Sequence, residues 1–172
     1  RIEDQTGAEQ PVGTPGELKV SAPFSSSGYW NAPEETKAAW SDGWYSTGDI
    51  GLLDQTGRLT LLGRLKDTIN RSGHKILPSE IEREITLLAD VVECSVVAVP
   101  DREYGEVPCA FVRLQAGCTL DVDGIKGALK KRGLASYKFP QSFVEVARFP
   151  RINDNKVDKK ALLGMLEEEN LI

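Results

Sequence analysis

Apolar residues recur at two periods along this chain, and the change of period marks where strands give way to helices. From Pro78 the run SEIEREITLLA places Ile81, Ile85 and Leu88 on one stripe, the 3.6-residue period of a helix with one buried face. Ser79 and Glu82 stand in capping-box spacing, so a helix is expected to begin here. Residues 17–23 and 57–63 alternate or run apolar at strand length, and Asp54-Gln55-Thr56-Gly57, between Leu53 and Leu59, has the composition of a hairpin turn. The same pattern predicts strands over 91–99, 107–115 and 142–146. It predicts helices over 121–132, capped by Asp121, and over 158–169, capped by Asp158. After Arg64 the order is β-β-α-β-β-α-β-α, which predicts an α+β unit with helices packed on a three-stranded sheet. Residues 1–63 read as a small β-subdomain. No internal repeat and no low-complexity linker stands out.

Composition narrows the class. The 172 residues are 40% hydrophobic and 27% charged, the balance of a globular piece of one domain or one and a half. The longest apolar runs, such as VVAV from Val96 to Val99, are strand-sized and far short of the ~20 residues of a bilayer helix. There is no signal-peptide pattern, so the cytoplasm is the expected compartment. Cys94, Cys109 and Cys118 are odd in number and lack C-x-x-C spacing, which argues against a disulfide framework or a zinc site. Residues 1–63 carry 4 Lys and Arg against 9 Asp and Glu, whereas residues 64–172 carry 17 of each. That break falls beside Gly63-Arg64. Lys130, Lys131, Arg132 and Lys138 form a basic cluster, read either as a solvated helix end or as a dock for a phosphate or an acidic protein.

Three strings hold residue types suited to nucleotide chemistry: YSTGD ending at Asp49, GRLKDTINRSGHKI from Gly63, and PRINDNK ending at Lys156. A carboxylate only accepts hydrogen bonds, so Asp49 at a strand end can take both hydroxyls of a ribose; alternatively it is satisfied by backbone N–H groups in its own turn. Arg64 offers a planar charged fork to ribose or phosphate, or pairs with Asp67 or Asp54. Gly73 answers either a positive φ or the close approach of a ligand. Lys75 can neutralise a phosphate or simply guard a strand edge. His74, the only histidine, is not assigned a base role. Lys156 can bridge two anions as they react, or be a solvated lysine before the last helix.

In order and spacing these strings resemble the core motifs of the adenylate-forming superfamily, which contains the acyl- and aryl-CoA synthetases, the adenylation domains of nonribosomal peptide synthetases, and the luciferases. GELKVSAP from Gly16 and GYWNAPEET from Gly28 resemble the family's approach to its TGD motif. One departure is Asn155, where the family's P-x-x-x-x-G-K carries Gly. The resemblance implies that residues 1–63 are the C-terminal β-subdomain of a large AMP-binding domain and residues 64–172 a mobile C-terminal domain. It implies that Asp49 holds the ribose of ATP and AMP, that Arg64 touches the same ribose, and that Lys66 is the hinge. It places Gly73 beside the tunnel for the pantetheine arm, Lys75 near a phosphate of the nucleotide or CoA, and Lys156 as the catalytic residue of adenylation.

The implied activity is that of an acid–thiol ligase. A carboxylic acid and ATP give acyl-AMP and pyrophosphate; a thiol then takes the acyl group and AMP leaves. INRSGHKI and KRGLASYKFPQSFVEVARFP look most like aryl-acid and acyl-CoA ligases, so CoA is the expected acceptor and a carrier-protein pantetheine the runner-up. Mg²⁺ accompanies ATP by resemblance only. No nucleic acid and no membrane span is expected as a partner. The family's phosphate loop and acid pocket lie upstream of these motifs, and the opening RIEDQTG reads as a strand entered midway, so the chain is expected to be a C-terminal fragment lacking its N-terminal domain. A reading of another class is a non-catalytic stand-alone binding module.

Overall fold

The computed structural model describes residues 1–153 and 155–168, and the chain divides into two compact units, Arg1–Lys66 and Asp67–Ile172. The division falls inside a 3-10 turn, Leu65–Asp67, three residues beyond the break in charge. In the first unit the strands are β1 (Ile2–Glu3), β2 (Gly16–Val20), β3 (Trp40–Ser41), β4 (Trp44–Leu53) and β5 (Leu59–Arg64), with helix α1 (Pro33–Ala39) between β2 and β3. Strand β4 is the spine, antiparallel to β2 along one edge and to β3 and β5 along the other. Helix α1 was not expected. It has Pro33 in its first turn and Glu34 and Glu35 beside its positive end, but buries no side chain, so no apolar period announces it.

The predicted turn between β4 and β5 forms, and its chemistry occurs twice. Asp54 Oδ1 accepts from the Thr56 N–H (2.8 Å), the Thr56 hydroxyl (2.6 Å) and the Arg58 N–H (3.0 Å), while Gly57 takes φ +80°. Asp4 does the same with Thr6 and the Ala8 N–H, with Gly7 at φ +84°. Asp-Gln-Thr-Gly is therefore a turn word used twice, a correction to the expectation of no repeat; at four residues it is too short to register as a period. The threonine hydroxyl, then the backbone donors, favour the ionised form, so both carboxyls lie below the ordinary value of 3.8. A depressed folded pKa stabilises above the unfolded value and is lost as pH falls through the folded one. Carboxyl ¹³C titration of Asp4 and Asp54 is thus expected to give midpoints under 3.8, with the first unit loosening at more acid pH. Midpoints at or above the ordinary value would show that these turns do not persist in solution.

The second unit runs β6 (Ile69–Arg71), β7 (His74–Ile76), α2 (Pro78–Thr86), β8 (Val91–Asp101), β9 (Gly105–Leu114), α3 (Val122–Lys131), β10 (Ser142–Glu145), β11 (Arg151–Ile152), β12 (Lys156–Val157) and α4 (Lys159–Glu168). Position 169, the expected end of the last helix, and Asp154 lie outside the described residues. Strand β9 is central. Strand β8 pairs with it antiparallel along its whole length; its other edge takes β10 in parallel from Cys109 to Val112 and meets β6 at Arg71↔Gly105. The expected three strands are β8, β9 and β10, and the β6–β7 hairpin widens them to a five-stranded sheet.

Both faces of this sheet are covered. Val96, Ala110 and Val112 pack with Ile81 and Ile85 of α2, Ile125 and Leu129 of α3, and Ile69 and Ile76 of the hairpin. Val97, Val99, Val107, Cys109 and Phe111 point the other way, onto Leu162 and Leu166 of α4 with Val146 and Phe149. Burial on both faces is why β8 and β9 read as unbroken apolar runs, VVAV and VPCAFV. Ile81 and Ile85 are fully buried, each contributing about 1.5–3 kcal/mol to docking α2.

Helix α2 begins ahead of Ser79, the cap that the spacing suggests. Leu77 is the N-cap, with no side-chain cap, and Pro78 opens the helix, where its missing N–H costs nothing. The Glu82 carboxylate turns to the sheet, accepting from the Val96 N–H (2.7 Å) and from Lys159 Nζ (3.2 Å), and Lys159 also donates to the Val96 carbonyl (2.9 Å). The other two predicted caps are present: Asp121 accepts from the Gly124 N–H, and Asp158 from the N–H groups of Lys160 and Ala161. All three cysteines are free thiols; burial pushes Cys94 well above the ordinary thiol range and raises Cys109. Among the described residues no helix is long and apolar enough to cross a membrane.

Candidate functional site

Asp49 owes its position to irregularities on both edges of β4. Against β2 the pairing steps from Glu17↔Ile50 to Lys19↔Ser46, leaving Thr47, Gly48 and Asp49 opposite Leu18 alone. Gly48 absorbs the extra length at φ +70°, which a Cβ would strain. The Thr47 hydroxyl locks the bulge, donating to the Leu18 carbonyl (2.9 Å) and accepting from the Asp49 N–H (3.0 Å). On the far edge Asp49 lies in register with Arg64, whose Nε is 2.9 Å from Asp49 Oδ1. Arg64 thus has an ion pair with Asp49 across the two strands. The two side chains are 27% and 46% exposed, so the pair contributes about 0–1 kcal/mol and is cheaply reorganised around a ligand. Carboxylate and guanidinium together form an acceptor beside a donor fork, the complement of vicinal hydroxyls.

In the second unit, Gly73 caps the β6–β7 hairpin. Ser72 and Gly73 both have positive φ, +48° and +85°, as a two-residue type I′ turn requires, and Asn70 Oδ1 accepts the Gly73 N–H at 3.1 Å. Of the two reasons for a glycine, the turn is met directly. A Cβ at Gly73 would also have no atom of the chain within 4 Å, so the tip is open on its outer side. Lys75 is exposed on β7, in register with Asn70. His74 stacks on Tyr137 at 4.6 Å, and Arg71 donates to the Tyr137 carbonyl (2.8 Å), so the histidine fastens the hairpin to the loop after α3. In the basic cluster, Lys138 is held by both oxygens of Glu80 (2.7 and 2.8 Å) and Arg132 lies 3.8 Å from Glu84.

Lys156 occupies a separate hairpin of the same unit, β11–β12, closed by Ile152↔Lys156 and by the Asp158 N–H on the Pro150 carbonyl (2.8 Å). Asn153 supplies a left-handed residue of that turn, φ +51°. Lys19, Lys138 and Lys159 each hold a carboxylate, whereas among the described residues none pairs with Lys156. It is exposed at the start of β12. Sequence spacing gave no hint of what braces this hairpin: Glu93 on β8, reached by Arg151 across 58 positions, and Lys159, bound to α2 and β8. Lys66 sits exposed in the 3-10 turn where the two units divide. Each unit thus assembles its own part: Asp49 with Arg64 in the first, and in the second Gly73 with Lys75 on one hairpin and Lys156 on another.

Residues 80–156 match the AMP-binding enzyme C-terminal domain family. Triostin synthetase I of Streptomyces triostinicus is 39% identical over 96% of this chain and 31% of its own length. The 2-hydroxy-7-methoxy-5-methyl-1-naphthoate–CoA ligase of Streptomyces carzinostaticus is 35% identical over 94% of the chain and 29% of its own length. Among solved structures, ATP-bound MatB from Rhodopseudomonas palustris superposes with a TM-score of 0.91 at 36% identity, over 98% of this chain and 34% of that one. The chain spans about 30% of the length of the curated relatives it matches.

Proposed function

From the premise that this chain belongs to the adenylate-forming superfamily, as a C-terminal part of one of its members, we propose that it is the C-terminal region of an ATP-dependent carboxylic acid:CoA ligase. The first step joins a carboxylate oxygen to the α-phosphorus of ATP and expels pyrophosphate. In the second, a CoA thiol attacks the acyl carbon, giving the thioester, AMP and a proton. Residues 1–63 serve as the last β-subdomain of the AMP-binding domain and residues 64–172 as the mobile domain.

The observation that carries this reading is the exposed ammonium of Lys156 on a braced hairpin, paired with no carboxylate among the described residues. Two anions must approach each other in adenylation, and charge grows on the phosphoryl oxygens; a preorganised cation there contributes about 3–4 kcal/mol. Asp49 and Arg64 bind the ribose hydroxyls between them. In the second step rotation about Lys66 withdraws Lys156 and brings the Gly73 tip to the thiol path, where an absent side chain leaves room; Lys75 neutralises a phosphate of CoA or the nucleotide. Mg²⁺ accompanies ATP in this reading, and no group of three or more His, Cys, Asp or Glu that could hold a metal ion occurs among the described residues. The reading carries with it a cytoplasmic location, where ATP and CoA are found.

The full-length protein is expected to exchange labelled pyrophosphate into ATP in an acid-dependent manner, and the 172-residue chain alone is not. Robust exchange by the chain alone, or none by the full-length protein over a panel of aryl and aliphatic acids, overturns the proposal. Capture of the acyl group by free CoA, against a pantetheinylated carrier protein, separates the two acceptors.

A further inference from the structure

The backbone just before Lys156 is tied to the sheet through Arg151 and Glu93. Glu93 and Arg113 face each other across β8 and β9, and Arg113 Nη2 lies 3.4 Å from Glu93 Oε2. The other oxygen, Glu93 Oε1, holds Arg151 Nη2 at 2.5 Å, and Arg151 Nη1 reaches the Asn155 carbonyl at 3.4 Å. Glu93, Arg113 and Arg151 line a cleft of about 630 Å³ whose remaining wall is Ala147, Arg148, Phe149 and Pro150. The order of links is sheet, Glu93, Arg151, carbonyl 155, Lys156.

We propose that Glu93 and Arg151 are positioning residues for adenylation, fixing the backbone from which Lys156 extends. The inference rests on the adenylation role proposed for Lys156. A lysine carries its charge on a flexible four-carbon stem, so its placement at the α-phosphate depends on how firmly its own backbone is held. In this chain Asn155 stands where the resembling motif has Gly, and the Arg151 fork holds that residue's carbonyl from the side. As a solvent-facing ion pair the contact is worth little to stability. As a brace it acts on geometry, where displacements of about 1 Å cost up to about 100-fold in rate.

The test uses the full-length enzyme with Glu93→Gln, which keeps the shape and removes the charge, and Arg151→Met, which attacks the link at an exposed strand. Each is expected to lower kcat for pyrophosphate exchange about 10-fold, with the KM for ATP and CoA capture of synthetic acyl-adenylate unchanged. Placed in a Lys156→Ala background, Glu93→Gln is expected to cost nothing further, because its effect passes through the lysine. Unchanged exchange in both single variants while Lys156→Ala is impaired overturns the positioning role and leaves the proposed function standing. Equal loss in both half-reactions, or an undiminished loss in the Lys156→Ala background, also overturns it. If Lys156→Ala itself exchanges normally, the adenylation role falls and this inference falls with it.

Discussion

Lys156→Ala in the full-length enzyme is expected to slow acid-dependent pyrophosphate exchange about 10²–10³-fold, the usual cost of one preorganised donor at a phosphoryl or acyl centre. Thioester formation from supplied acyl-AMP is expected to stay near its normal rate, because the proposed rotation takes the lysine away from the centre by then. Folding does not confound the measurement. The side chain is exposed on a two-residue strand and, among the described residues, supports no other group. Normal exchange would make Lys156 a solvated loop residue and PRINDNK a false match. Collapse of both half-reactions would give it a structural role instead.

Lys66→Pro is the second large effect, and it is expected in the opposite half-reaction. Proline fixes φ near −65° and pushes the preceding Leu65 away from helical geometry, so it acts on the 3-10 turn where the two units divide. Adenylate formation is expected to survive. Capture of preformed acyl-AMP by CoA is expected to fall about 100-fold, as for other misplacements of a reacting pair. Equal loss of both steps, at an unchanged melting temperature, would rule out a rotation about this residue.

How far the sequence revealed these features depends on whether each is local. The α2 stripe of Ile81 and Ile85, the Asp121 and Asp158 caps and the Asp54 turn all arise from residues within one or two turns of each other, and all are present. Helix α2 starts at Pro78, ahead of Ser79, and the Glu82 carboxylate also serves other elements, accepting from the Val96 N–H and from Lys159. Helix α1 went unread because a helix that buries nothing has no apolar period. In the candidate site, the Asp49–Arg64 contact depends on a bulge that Gly48 makes and that spacing does not disclose. The Glu93–Arg151 brace joins positions 58 apart through two ordinary surface residue types, which carry no signal until the sheet has brought them together.

The hydrogen bonds of Glu82 and Lys159 to the Val96 backbone also set an order of events during synthesis. Strand β8 has β9 on one edge only, and at Val96 its outward N–H and carbonyl are met by side chains instead of a neighbouring strand. Glu82 lies 14 positions before Val96 and is available as soon as α2 docks, whereas Lys159 follows 63 positions later. Until the ribosome has released that stretch, the carbonyl at the middle of β8 stays open to any extended segment nearby. The closing residue sits three positions beyond Lys156, so the nascent chain completes this protection of its sheet and the seating of its proposed catalytic hairpin within the same short stretch.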